Sequence, residues 1–344
     1  MSPKRRFLAA LFGGPVDRVP VGNVVSVATL ELMEATGAYF PEAHLDAEVM
    51  ARLAAGGHLV LGYDTVMPVF SVTQEAAALG CQVDWGNPTR MPVVRSHPFA
   101  ENDAMRLPDG WFDHPAIQTV LAAIRLLRQE LGEHVVIVGK VMGPWTLSYH
   151  MLDMEEFLVS TLQTPERAQR SLETLKAVPI AFGRAQMRAG ADVLCLADHA
   201  TGGVVSPLAY RDFLLPIHQQ IVAELGCPLV LHCCGNTRDR LHYFAQAGFD
   251  CYHFESQVSV ADVLLADAGR MTGMGNINNP QVLLAGTPAE VAHACRQAIQ
   301  QGVHILAPEC AVPLSTPLRN LRMLVEVAEK GDPPGLHAEN PVDG

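Results

Sequence analysis

From about residue 115 onward the chain alternates short apolar runs with long helical patterns, and this alternation constrains its fold more than any other feature. The runs are HVVIVGKVM (134–142), ADVLCLAD (191–198), CPLVLHCC (227–234), FDCYHF (249–254), RMTGMGNI (270–277) and GVHILAPEC (302–310). Between them, segments such as 165–188 and 206–225 carry apolar residues at helical spacing. Residues 19–25 and 64–69 supply two further candidate strands, making eight. Strands that are apolar nearly throughout need cover on both faces, which a parallel sheet flanked by helices provides. Eight such units predict an α/β fold of the (β/α)8 TIM-barrel kind. An open doubly wound sheet is the alternative, but no G-x-G-x-x-G follows any of the runs.

The whole chain, 1–344, reads as one barrel domain. Residues 1–18 form an N-terminal helical extension with Phe7, Leu8, Leu11 and Phe12 on one face. Residues 72–114 break the rhythm with mixed polar, Gly and Pro content and are expected as an insertion over the barrel mouth, while 331–344 is expected as a loose tail. A formal charge of −12, with no basic run longer than Lys4-Arg5-Arg6, argues against nucleic acid or an anionic membrane as partner. No apolar stretch approaches membrane-spanning length. The basic triplet precedes FLAALF, which is too short for a secretory signal and lacks a cleavage pattern after it. Eight cysteines without a secretory leader read as reduced thiols or metal ligands, and the expected compartment is the cytoplasm.

In such barrels the chemistry sits at the C-terminal ends of the strands. Those ends carry Asp198 and His199, the run His232-Cys233-Cys234, Glu255, Asn276 and Cys310. Side chains alternate faces along a strand, so His232 and Cys234 point one way and Cys233 points toward the helices. A His-x-Cys pair alone is more simply a core histidine beside an inert thiol. With Glu255 and Cys310 on two other strand ends, an imidazole, two thiolates and a carboxylate make a tetrahedral zinc set. Soft thiolates favour Zn2+ over magnesium or calcium. Ligands dispersed over several strands suit a catalytic ion with one exchangeable position. Two thiolates blunt water activation but suit the capture of a substrate thiol as thiolate, whose natural reaction is attack on an activated methyl group.

The remaining candidates carry two readings each. Asp198 and His199 orient a substrate, or Asp198 caps a loop or helix. Asn276 in MGNIN hydrogen-bonds a substrate or occupies a turn. Gly143-Pro144-Trp145-Thr146 reads as a strand-to-helix turn with Thr146 as N-cap. Cys195, Cys227, Cys251 and Cys295 read as structural.

The stretches ALFGGPVDRVPVGN, MEATGAYFPEAHLDAEVMARLA, VMGPWTLSYHML, LADHATGGVVSPLAYRDFLLP, LVLHCCGNT, MGNINNPQVLLAGTPAEV and ILAPECAVPLSTPLRNLRMLVE occur in that order. Together they resemble the methylcobamide:coenzyme M methyltransferases of the uroporphyrinogen decarboxylase-like superfamily, over nearly the whole chain. The resemblance implies a (β/α)8 barrel with catalytic zinc on a His-x-Cys pair and a distant Cys, which fall on His232, Cys234 and Cys310. The same His-x-Cys, Glu, Cys order is similar to the zinc site of cobalamin-independent methionine synthases, which also methylate a thiol. On that parallel Glu255 is the fourth ligand, displaced by the incoming thiol.

The implied activity moves a methyl group from a methylcobamide to a zinc-activated thiol, coenzyme M by resemblance, leaving cob(I)amide. Asp198-His199-Ala200-Thr201-Gly202-Gly203 does not match the D-x-H-x-x-G spacing of cobalamin-binding domains, so a separate corrinoid protein is the expected partner. Two departures matter. APEC places Glu309 where a Gly is expected, and GAYFPEA stands where porphyrinogen decarboxylases carry a GRYLPEY-like run. Without that arginine a poly-acidic tetrapyrrole lacks its counter-charge, which weakens the case for a decarboxylase. Two more activities fit a barrel of this kind. One is a corrinoid-dependent methyltransferase using a methoxy, methylamine or tetrahydrofolate methyl group, and the other a non-catalytic zinc-bound partner of a corrinoid protein.

Overall fold

The computed structural model describes residues 1–99, 104–266 and 271–331. Among these residues there are nine strands: β1 (Thr65–Val66), β2 (Val83–Asp84), β3 (Val93–Val94), β4 (Val136–Met142), β5 (Val193–Ala197), β6 (Leu229–His232), β7 (Cys251–Phe254), β8 (Thr272–Ile277) and β9 (Ile305–Pro308). Seven form one parallel sheet in the order β1-β4-β5-β6-β7-β8-β9, and helices lie between them along the chain. Apart from Asn276 in β8, every residue of these seven strands is buried. That double-sided cover is why they read as unbroken apolar runs. No helix of the described residues is long and apolar enough to cross a membrane.

The eighth strand position departs from the expectation of a strand over 19–25. Only Val21 makes a bridge there, parallel to Leu306. Leu306 N–H donates to Pro20 O at 2.9 Å and Gly22 N–H to Leu306 O at 3.1 Å, while Asp64 N–H reaches Val21 O at 2.6 Å. Residues 20–22 therefore close the barrel between β9 and β1. Pro20 has no N–H with which to extend the ladder. The N–H of Val21 goes instead to the buried Asp64 carboxylate at 2.8 Å. Arg6 and Arg18 meet the same carboxylate at 2.8 and 3.1 Å, as a buried charge requires. Arg6 thus anchors the helix Pro3–Leu11, whose Phe7 and Leu11 are buried; Phe12, expected on that face, lies past the helix end and is 57% exposed.

Along β4 the odd positions face the helices, since a Cβ on Gly139 would lie 2.6 Å from the Leu194 side chain and 2.7 Å from that of Gln186. Alternation turns Lys140 and Met142 into the barrel. From the stretch 72–114, whose residues 100–103 lie outside the described ones, the helix Gln74–Ala78 packs at the C-terminal end of β4. There Glu75 accepts the Met142 N–H at 2.9 Å. The tail expected over 331–344 lies, beyond Gly331, outside the described residues.

Strand β4 passes through Gly143 into the helix Pro144–Met151. Thr146 is not its N-cap, as the sequence suggested; the cap residue is Gly143, which has no side chain to offer. The Asp198 carboxylate takes over, accepting the N–H of Thr146 at 2.7 Å and of Trp145 at 3.4 Å. A Cβ on Gly143 would sit 2.2 Å from Asp198 Cγ. Gly143→Ala is therefore expected to destabilise the fold by about 1–3 kcal/mol, as overpacking does, seen as a lowered urea midpoint at unchanged slope.

Candidate metal centre

His232 ends β6, and Cys234 and Cys310 lie two residues beyond β6 and β9. Their ligand atoms lie within 4.8 Å of one another. His232 Nε2 is 3.1 Å from Cys234 Sγ and 3.5 Å from Cys310 Sγ, and the sulfurs are 3.3 Å apart. Both thiols are free. They share a hydrogen bond, so the Cys234 S–H resists ionisation while its donated proton holds Cys310 well below the ordinary thiol range. A tetrahedral zinc with Zn–S near 2.3 Å and Zn–N near 2.0–2.1 Å sets ligand–ligand edges of roughly 3.5–3.8 Å. Opening the triangle by a few tenths of an ångström seats such an ion, and the nitrogen-plus-two-sulfur donor set suits zinc. Cys233 turns away from this group, 1% exposed in the core, with burial pushing its thiol up.

His253 on β7 fixes the orientation of His232, and it was not among the sequence candidates. The two residues are register partners. His253 Nε2 lies 2.8 Å from Pro308 O, and since a carbonyl can only accept, that nitrogen carries the proton. The lone pair of His253 Nδ1 then faces His232 Nδ1 at 2.8 Å, which must donate. His232 Nε2 is left unprotonated toward the sulfurs, the tautomer a metal needs. Burial keeps His253 itself well below the ordinary histidine range and neutral. A signal was present: in FDCYHF, strand alternation puts His253 on the face shared by Cys251 and Glu255.

The other expected residues sort by what they touch. Glu255, just past β7, is not in the ligand group. Burial, then the charge of Cys310, raises its pKa. Asp198 is 1% exposed, and both its oxygens are engaged, by the helix N–H groups and by His218 Nε2 at 2.9 Å. His218 continues to the Tyr210 hydroxyl at 2.7 Å. Of the two roles left open for Asp198, these contacts are those of a helix cap. His199 is accessible to solvent, its N–H donated to Thr146 Oγ1 at 2.8 Å. Enough protein surrounds its ring that burial lowers its pKa. Asn276 donates to Val258 O at 3.2 Å, tying β8 to the loop after β7. Glu309 points away from the sulfurs: its carboxylate accepts the N–H groups of Ser256 and Asn279, each at 2.8 Å, bracing the loop that carries Cys310.

The uroporphyrinogen decarboxylase (URO-D) family model matches residues 2–331. The chain is 34% identical over 331 residues to the methylated-thiol–coenzyme M methyltransferase of Methanosarcina mazei, covering 96% of this chain and 90% of that protein. It is 32% identical over 332 residues to the methylcobamide:CoM methyltransferase MtaA of Methanosarcina barkeri, covering 95% and 97%. A solved methyltransferase from Methanosarcina mazei superposes with a TM-score of 0.92 at 32% identity, covering 96% of this chain and 98% of that one.

Proposed function

Because this chain belongs to the uroporphyrinogen decarboxylase (URO-D) family, together with the methylcobamide:coenzyme M methyltransferases, we propose that it is a zinc-dependent methyltransferase. It moves a methyl group from a methylcobamide to a thiol, coenzyme M or a close analogue. The observation that carries this reading is the convergence of His232 Nε2 with the sulfurs of Cys234 and Cys310 at the strand ends. Zinc held by these three atoms would supply the acidity that keeps a bound thiol ionised near neutral pH.

The chain's own residues prepare the site. His253 holds the Nδ1 proton of His232 so that the opposite lone pair faces the sulfurs. Glu309 fixes the loop that carries Cys310. In the transfer, the thiol's sulfur bonds to the methyl carbon as the carbon–cobalt bond breaks, with both electrons left on cobalt and the thiol proton released to solvent. A separate corrinoid protein presents the methylcobamide at the mouth, and the reaction belongs to the cytoplasm.

Zinc analysis combined with methylcobalamin turnover tests the proposal. The expected result is stoichiometric zinc and methylation of coenzyme M with release of cob(I)alamin, lost on chelation and restored by zinc. Zinc retention without methylation of any thiol would leave a non-catalytic partner of a corrinoid protein. Formation of coproporphyrinogen from uroporphyrinogen would make it a decarboxylase.

A further inference from the structure

The loops after β7, β8 and β9 are tied to one another by hydrogen bonds that end on the backbone of Cys310. Glu309 N–H donates to Ile277 O at 3.0 Å. The Glu309 carboxylate accepts from Ser256 N–H and Asn279 N–H, and Asn278 Nδ2 reaches Ser256 Oγ at 2.9 Å. Asn279 completes the arrangement: its Nδ2 donates to Cys310 O and to Ala311 O, each at 2.9 Å. This residue is 5% exposed and opens the π-helical turn Asn279–Leu284. Its Oδ1 is buried without a partner. The amide cannot be turned round to relieve that oxygen, because it would then face two carbonyls, which only accept. A buried acceptor left unpaired carries a cost, so what this side chain contributes lies in its two donated bonds.

A second asparagine makes the same grip at the other end of the turn. Asn320, on the helix Leu318–Lys330, donates through Nδ2 to Leu283 O and Gly286 O at 2.9 and 2.8 Å, and its Oδ1 is likewise unpartnered. The turn is thus held at its far end by Asn320, and its near end holds Cys310. Cys234 follows His232 by two residues, so the chain itself keeps that pair together. Cys310 comes from β9, three places from β6 in the sheet, and has no such neighbour among the candidate ligands. Two pinned carbonyls, its own and that of Ala311, fix the peptide groups that follow its Cα and so limit where its Sγ can point. We propose that Asn279 is a positioning residue for the metal centre: through these two carbonyls it sets Cys310 Sγ toward His232 Nε2 and Cys234 Sγ before an ion arrives. Glu309 carries the same constraint through Ser256 to the loop after β7. This inference rests on the zinc-dependent reading above.

Asn279→Ala removes both bonds to the Cys310 loop, and Asn320→Ala removes the matching pair at the other end of the turn. Both variants are expected to unfold at lower urea, since each loses two hydrogen bonds. Only Asn279→Ala should weaken zinc in chelator competition, by roughly 10–100-fold, as loss of a group that orients a ligand does. In the cobalt-substituted proteins, the sulfur-to-cobalt charge-transfer absorption should fall in Asn279→Ala and stay unchanged in Asn320→Ala. Unaltered zinc affinity and spectrum in Asn279→Ala would overturn the proposal. So would an equal loss in both variants, which would make Asn279 a residue of the fold alone. Hydrogen exchange of the unaltered protein decides the matter even if the variants fold poorly. The amides of Ser256 and Asn279 are expected to be protected equally before and after zinc is added. Protection that appears only with zinc would show that the ion orders these loops, against the proposal. Failure of the unaltered protein to bind zinc at all would instead sink the zinc-dependent reading.

Discussion

Cys234→Ser is expected to strip the protein of zinc and of methyl transfer, whereas Cys233→Ser keeps both. The two residues are neighbours, but they stand in different surroundings. Cys234 Sγ lies 3.1 Å from His232 Nε2 and 3.3 Å from Cys310 Sγ, so it stands as one of three candidate donors. A serine hydroxyl there is hard, neutral and a poor zinc ligand. Partners that only hydrogen-bond to ligands are worth roughly 10–100-fold in metal affinity, so loss of a ligand should exceed about 100-fold. Cys233, 1% exposed among core side chains, makes no approach to that group. A serine in its place buries a hydroxyl at a cost of about 1–3 kcal/mol in stability, without touching the metal. Zinc retained after dialysis against graded chelator, measured beside urea unfolding, separates the two phenotypes. Zinc loss from Cys233→Ser with retention by Cys234→Ser would reverse the ligand assignment.

The barrel was legible because strands buried on both faces have no polar alternation to disguise them. Each apolar run between 134 and 310 contains one of the observed strands. Its closure was not legible, because Val21 is held by the Asp64 carboxylate 43 residues away, and that carboxylate by Arg6 across 58. No local pattern announces such a contact. The candidate metal group was half-legible in the same sense. Alternation separates His232 and Cys234 from Cys233, and the strand-end rule adds Cys310, but neither rule shows that Glu255 stands outside the close group of the other three. That depends on the packing of the strand ends, which brings His232, Cys234 and Cys310, but not Glu255, within 4.8 Å of one another. The role of Asp198 likewise depends on N–H groups 52 and 53 residues distant.

His253→Phe should weaken zinc binding by roughly 10–100-fold although all three ligands remain. Phenylalanine preserves the buried ring volume and removes two hydrogen bonds. One fixes His253 to Pro308 O at 2.8 Å, and the other takes the Nδ1 proton of His232 at 2.8 Å. Without that acceptor, a metal bound through His232 Nε2 leaves an N–H buried and unpaired, a penalty of about 1–3 kcal/mol charged to the metal-bound form. A glutamine can restore both bonds, its amide oxygen accepting from His232 and its NH2 donating to Pro308. His253→Gln is therefore expected to recover most of the affinity. If His253 only filled space, phenylalanine would do as well as histidine, and glutamine would be the worse substitute. Chelator competition for zinc gives the affinities, and the visible spectrum of the cobalt-substituted proteins reports whether His232 still coordinates. Wild-type affinity in His253→Phe would show that the His232 tautomer is set by something other than the His253 ring.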